Sequence, residues 1–302
     1  MTIEPPAFEH RRPLGPRDPG DAWVVAPTGE RYWGAFGAAG LLAYDRERGV
    51  LLQHRVTWSH HGDTWALPGG ARHEGESACD GALREAQEEA GVPDGAVRPR
   101  LMSVLDLGYW SYSTLVGDVV EPFEPVISDP ESHELAWVPV DEVDRRPLHP
   151  GFEDAWPRLR ELLPVRPAVV VDAANVVGSV PDGWWRDRAG AAGRLIDRIG
   201  GLVGAGVPAH ALGLPETTWF PHVTVVVEGQ AKATQTSAPD LDIVRAAGSG
   251  DDTIAAEAAR LVRSGRSVTV VTSDRGLAER ARHGGAEVRG SRWLLDLLDL
   301  LE

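Results

Sequence analysis

The sequence predicts two domains of different class: an α+β unit with a mixed sheet, then an α/β unit whose parallel sheet carries helices on both faces. Three observations point there. The 302 residues exceed the usual span of one domain. A Pro-Val-Arg-Pro break at 164–167 separates a closing amphipathic stretch from a short buried-strand run. After that break, strand-like and helix-like stretches alternate, whereas before it short strands surround one well-marked helix. The expected division is a proline-rich tail over 1–20, a first domain over 21–163, a linker over 164–167 and a second domain over 168–302.

Taken in order, strand-like runs fall at 34–44, 50–55, 101–106, 112–119 and 134–138, with a helix between the second and third. Residues 152–163 read as a closing helix with Trp156, Leu159, Leu162 and Leu163 on its apolar side. Ala168-Val169-Val170-Val171 is the continuous apolar run expected of a strand buried on both faces. Helix-like stretches at 189–205, 252–264, 275–284 and 291–301 then accompany strand-like runs at 222–227 and 267–272. No internal repeat is visible.

Composition narrows the class. The chain is 42% hydrophobic and 25% charged, the mix of a folded soluble protein. One cysteine, Cys79, excludes an internal disulfide framework and fits a reducing cytoplasm. No apolar run approaches the roughly 20 residues that span a bilayer, so no membrane partner is expected. The N-terminus lacks an apolar core and is not expected to act as a secretory signal. The histidines are scattered with no H-x-x-x-H pair, so no zinc site is expected. Up to Leu163 there are 28 acidic and 15 basic residues; from Pro164 on there are 17 and 15. An acidic half of this kind repels nucleic acid unless a divalent ion neutralises its carboxylates locally.

The most informative stretch is WALPGGARHEGESACDGALREAQEEAGV, residues 65–92. Ser77 with Asp80 is a capping-box-like helix start, and Gly91 followed by Pro93 ends the helix. Cys79, Leu83, Ala86 and Ala90 recur at helical spacing as the packing stripe, which leaves the thiol no catalytic role. Glu85, Glu88 and Glu89 fall within about a 100° arc of the other side. Three like charges so close cost a few tenths of a kcal/mol per pair unless a cation sits among them. Mg²⁺ or Mn²⁺, which take carboxylate and phosphate oxygens together, would reverse that cost. An isolated E-x-x-E-E would read as a solvated acidic face.

This pattern is not isolated, and it resembles the Nudix box. That signature runs glycine, five residues, glutamate, seven residues, then Arg-Glu-apolar-x-Glu-Glu-x-Gly-apolar, met here by Gly70, Glu76, Arg84, Glu85, Ala86, Glu88, Glu89, Gly91 and Val92. The resemblance implies a Nudix fold and hydrolysis of a nucleoside diphosphate-linked substrate with Mg²⁺ or Mn²⁺. It makes Glu85, Glu88 and Glu89 metal ligands, the Gly70 carbonyl a further one, and Glu85 or Glu88 the group that activates water. Arg84 pairs with an acid of the box, Glu76 first, and holds the helix. Many members add a later acid, for which Glu131 and Glu134 are candidates. No SQPWPFP-like stretch follows, which disfavours the NADH-cleaving branch. Tyr109, 17 residues past Val92, lies where the dinucleoside-polyphosphate branch keeps a tyrosine; the other reading is a strand residue packed on the core. His60, His61 and Trp58 sit on the loop before the box, either as base or sugar contacts or as an exposed polar loop.

In the second half, acids fall at strand ends, where a doubly wound sheet gathers ligands. Asp172 ends AVVVD and precedes Asn175; Asp251 and Asp252 follow Gly-Ser-Gly; Asp274 ends SVTVVTSD. Helix capping alone accounts for single members such as Asp251 or Asp274. Together, VVVDAANV, GSGDDTI and VTSDRGL resemble the NYN branch of the PIN-like nucleases. That resemblance implies metal-dependent RNA cleavage with Asp172, Asp251, Asp252 and Asp274 as ligands and Asn175 in support. Glu228 is a candidate fourth acid. Trp184-Trp185-Arg186-Asp187-Arg188 is either a base-stacking segment or a loop packed on a helix. The leading expectation is a Nudix pyrophosphohydrolase fused to a PIN-like ribonuclease. Its rivals are a Nudix enzyme, or a turnover-free nucleotide sensor, whose second domain only binds RNA or nucleotide.

Overall fold

The computed structural model describes residues 18–301 apart from 182, 237 and 239, so most of the expected tail over 1–20 lies outside the described residues. The chain forms two compact units that meet in sequence between Leu163 and Pro164.

In the first unit a hairpin of β1 (Trp23–Val25) and β2 (Arg31–Trp33) precedes β3 (Ala38–Asp45), β4 (Gly49–Arg55), β5 (Trp65–Ala66) and β6 (Gly69–Ala71). Helix α1 (Ala78–Ala90) follows, then β7 (Val97–Asp106), β8 (Ser111–Val119), β9 (Ser132–Val138) and α2 (Pro150–Leu162). Strands run in the order β7-β8-β3-β4-β5, with β6 also on β3 and β9 also on β4. The β3–β8 pairing is parallel and the others antiparallel, so the sheet is mixed, as expected. The expected strand at 34–44 begins only at Ala38, because Gly34 and Gly37 take positive φ and turn the chain first. Helix α2 buries Phe152, Trp156, Leu159 and Leu162.

The second unit runs β10 (Pro167–Asp172), α3 (Ala173–Gly178), α4 (Arg188–Ala205), β11 (Val207–Pro208), β12 (Thr218–Trp219) and β13 (His222–Val227). It continues through β14 (Leu241–Arg245), α5 (Gly250–Arg263), β15 (Ser267–Val271), α6 (Arg275–His283), β16 (Glu287–Arg289) and α7 (Ser291–Asp299). The sheet order is β14-β13-β10-β15-β16 and every pairing is parallel. Strand alternation splits the core in two. Val169, Val171, Val223 and Val225 pack with α4 and α7, whereas Ala168, Val170, Val226 and Val270 pack with α5 and α6. The order reverses beside β10, so the carboxyl ends of β10, β13 and β15 open on one crevice.

Leu159, fully buried in α2, tests how firmly that helix closes the first unit. Leu159→Ala is expected to lower the stability of that unit by about 2–5 kcal/mol in urea titration; a change below 1 kcal/mol would contradict the packing described.

Candidate active site

The site in the first unit is built on α1. Ser77 caps its start by accepting the Asp80 amide at 3.0 Å, while its hydroxyl donates to the Asp80 carboxylate at 2.6 Å. Gly91, at φ 63°, closes the other end in the left-handed conformation. Helix and sheet approach closely. A side chain at Gly70 would strike the Glu85 carboxylate of α1, while one at Gly69 would strike the Ala39 and Gly40 backbone of the neighbouring β3. The inward stripe is therefore small: Ala82, Ala86 and Ala90 are buried, whereas Cys79 and Leu83, expected on that stripe, are half-buried at its margin. Burial still pushes the Cys79 thiol up to about 11, consistent with an inert side chain.

Arg84 binds the box together. Its Nε and Nη2 donate to the two oxygens of Glu76 at 2.8 and 3.0 Å, and Nη2 also reaches the Ala71 carbonyl at 2.9 Å. Its Nη1 donates to Glu85 at 2.9 Å and Glu88 at 3.1 Å. The Arg84 bonds, joined by the His73 amide, hold Glu76 below the usual carboxylate range.

The three glutamates expected on one acidic face are not equivalent. Glu88 is exposed, Glu85 is largely covered, and Glu89 points inward at 8% exposure, accepting the Gly69 amide at 2.8 Å. Burial pushes Glu85 up to about 7 against the pull of Arg84, with Glu88 and Asp21 adding to the rise. Burial also raises Glu89 well above its ordinary value, and the neighbouring Glu85 and Asp129 push the same way. Asp129 is the residue that sequence reading missed. The ligand oxygens of Glu89, Asp129 and Glu131 lie within 4.8 Å of one another. Asp129 is held by the Glu131 amide and the Ser132 hydroxyl at 3.2 and 2.9 Å. Its only sequence signal is the Ser-Asp-Pro turn of a proline-rich loop.

Of the two later acids, Glu131 joins Glu89, whereas Glu134 lies exposed on β9 opposite His54. Tyr109 is on an exposed turn between β7 and β8 beside Tyr32, not in a strand against the core. Crowded hard oxygen donors, Glu89 buried and the proton affinities of Glu85, Glu89 and Asp129 all raised, are a donor set that a small divalent cation fits.

At the strand ends of the second unit, Asp172 is 7% exposed, capping α3 through the Asn175 amide and accepting the Thr272 hydroxyl at 2.9 Å. Burial raises its proton affinity, and Asp251 and Glu228 add to the rise. Asp251 is raised by burial and by Asp274. Glu228 accepts the Gly250 amide at 2.8 Å, and Asp274 caps α6 through the Leu277 amide. Asn175 accepts from the Ser273 amide and the Ser291 hydroxyl, tying α3 to the loop after β15 and to α7. Asp252, expected beside Asp251, turns instead to Arg280 at 2.7 Å, because it sits on the exposed flank of α5 facing α6. Among the described residues, these acids do not reach the mutual 4.8 Å spacing of Glu89, Asp129 and Glu131.

A mixed sheet carrying a Gly-anchored helix of clustered glutamates is the Nudix arrangement, and the chain belongs to the Nudix hydrolase family. The NUDIX domain model matches residues 35–162. A protein of Mycobacterium tuberculosis named "Putative 8-oxo-dGTP diphosphatase 3" is 45% identical over 170 residues, covering 53% of this chain and 76% of that one. A "Nucleoside triphosphate pyrophosphatase/Nudix hydrolase fusion protein" of Bifidobacterium longum is 40% identical over 151 residues, 46% of this chain and 31% of that one. Among solved structures, the Nudix hydrolase RenU of M. smegmatis is 46% identical, covering 47% of this chain and 94% of that one, with a TM-score of 0.44. Nudix hydrolases generally use divalent metal ions. Among the described residues, no helix is long and apolar enough to cross a membrane.

Two outcomes test the site. Removing Arg84 leaves Glu76 and Glu85 without their cation, so Arg84→Met is expected to lower stability by about 2 kcal/mol, read by chemical denaturation. The second concerns pH. Because the folded state raises Glu85 from 4.5 to about 7, the native chain holds that proton more tightly than the unfolded one. In metal-free protein stability therefore falls as pH rises from about 4.5 to 7 and stays low above. Glu85→Gln is expected to raise the metal-free Tm at pH 8 and leave it unchanged near pH 4; equal shifts at both would refute this origin.

Proposed function

We propose that the first unit hydrolyses the phosphoanhydride of a nucleoside diphosphate-linked substrate, with a nucleoside triphosphate ahead of a dinucleotide or a capped 5′ end. The carboxylate array anchored by Arg84 carries this reading, and the printed name of the M. tuberculosis relative supports a triphosphate of the 8-oxo-dGTP kind. Mg²⁺ or Mn²⁺ held by Glu85, Glu89, the Gly70 carbonyl and Glu131 would polarise the phosphate and lower the pKa of bound water. Arg84 fixes Glu85 and leaves Glu88 facing solvent. We assign Glu88 as the group that takes the proton while the water oxygen bonds to phosphorus and the bridging P–O bond breaks. Asp129 orients the loop that brings Glu131 to Glu89.

For the second unit the reading is a metal-dependent, PIN-like ribonuclease using Asp172, Asp251, Asp274 and Glu228, with Asn175 in support. The crevice at the carboxyl ends of the parallel strands supports it, as does Trp185, 56% exposed with Trp184 beside it and Arg188 over the Trp184 ring. Such a segment stacks bases and meets phosphates. The engagement of Asp252 with Arg280 favours the rival reading, in which this unit binds RNA or nucleotide without cutting.

Both readings are tested by phosphate release and RNA cleavage with Mg²⁺ or Mn²⁺, run beside Glu88→Gln, Asp251→Asn and Trp185→Ala. Glu88→Gln is expected to lower nucleotide turnover at least about 100-fold, with Asp251→Asn near wild type; full nucleotide activity in Glu88→Gln would sink the first assignment. Internal RNA cleavage lost only in Asp251→Asn supports the nuclease. RNA binding without cleavage, weakened by Trp185→Ala, supports the rival.

A further inference from the structure

Three imidazoles from two segments distant in sequence meet on the first unit. His60 and His61 lie on the loop between β4 and β5, and His149 is the N-cap of α2. One ring nitrogen from each lies within 4.8 Å of the other two. The rings cross at steep angles, with centroids 4.1 Å apart for His60–His61 and 4.9 Å for His61–His149. A tetrahedral site with Zn–N bonds of about 2.0–2.1 Å places its nitrogens roughly 3.4 Å apart, so the rings need only converge slightly.

The backbone around them is already set. His61 and Asp63 take left-handed φ of 52° and 61°. The loop is cross-bonded from the Asp63 amide to Arg55, from the Thr64 hydroxyl to the His61 carbonyl and from the His149 amide to Trp65. His149 accepts the Gly151 amide on Nδ1 at 3.2 Å, which directs Nε2 outward as the proton-bearing atom. Coordination through Nε2 takes the other neutral tautomer: the single ring proton moves from Nε2 to Nδ1, which ends the Gly151 bond and frees the Nε2 lone pair for the ion. Burial holds His149 down at about 4 and His60 below its ordinary value, helped at both by His61 and Arg55, with His60 adding at His149 and Arg31 at His60. Unprotonated rings are the form that binds metal. The same arginines oppose a bare dication, so an anionic fourth ligand suits the site.

We propose that His60, His61 and His149 form a second metal site, selective for a borderline ion such as Zn²⁺ over Mg²⁺, that ties the loop at 56–64 to the start of α2. Its donors are nitrogens, whereas every candidate ligand of α1 is an oxygen, so the two sites sort ions by chemistry.

Full-length protein is titrated with Zn²⁺ by calorimetry in excess Mg²⁺, which saturates the oxygen donors, and with Co²⁺ by visible absorption. Wild type is expected to bind one equivalent, show tetrahedral Co²⁺ bands and gain Tm with Zn²⁺. His60→Gln, His61→Gln and His149→Asn, the last keeping a capping side chain, are each expected to weaken Zn²⁺ at least tenfold and abolish the bands. Unchanged affinity in the three variants overturns the proposal, as does Zn²⁺ binding that is lost in Glu89→Gln instead.

Discussion

The first unit depends on a single guanidinium. Arg84 directs its donors to Glu76, Glu85, Glu88 and the Ala71 carbonyl, joining β6 and the loop after it to the middle and last turns of α1. Without it, Glu76 and Glu85 would be two poorly hydrated carboxylates, each costly to keep charged. With it, one positive charge holds the helix against the sheet and sets the angle at which the glutamates emerge. Lysine has the charge but not the fork: a point cation cannot bind Glu76 through both oxygens and still reach a carbonyl and a second acid.

The second unit handles the same difficulty without an internal cation. Asp172 is buried at the end of β10, and neutral donors stabilise its charge: the Thr272 hydroxyl and the Asn175 amide. Glu228 and Asp274 are likewise satisfied by backbone amides at helix starts, where the helix dipole favours an anion. The arginine that approaches this region, Arg280, takes Asp252 outward. The remaining acids therefore keep a net negative crevice; Asp172 and Asp274 are also ordinary caps, whereas Ser249 caps α5 and Asp251 lies inside its first turn, so capping does not account for Asp251. Capping and ligand roles are not rivals at Asp274, whose second oxygen takes no part in the cap, whereas at Asp172 the Thr272 hydroxyl holds the second oxygen as well.

Much of this was legible in sequence because it rests on short-range rules. The cap at Ser77, the stop at Gly91 and the alternation of the second half follow from spacing and turn chemistry, and the Arg84–Glu76 partnership from the resemblance to the Nudix box. The inner stripe of α1 did not, because Leu83 outweighs alanine in any hydrophobic count. The helix lies so close to β6 that a side chain at Gly70 would meet Glu85, and a stripe of alanines marks close approach rather than lack of core. The burial of Glu89 follows from that error, since it sits with Ala82, Ala86 and Ala90 once the stripe is rotated. Asp129 and the meeting of His149 with His61 depend on loop paths, and no periodicity encodes those.

Charge and donor type together bear on which ion each group prefers. Burying Glu85 and Glu89 side by side raises the proton affinity of both, and a proton competes with a metal for the same lone pairs. A dication wins that competition at neutral pH only by bridging several oxygens at once. The convergence of Asp129 and Glu131 on Glu89 makes that bridging geometrically accessible. The imidazole group follows the opposite logic: depressed proton affinity keeps His149 and His60 neutral, so neutral nitrogens offer no Coulomb attraction and selection rests on the strength of nitrogen bonding. Hard ions gain little there, and borderline ions gain most.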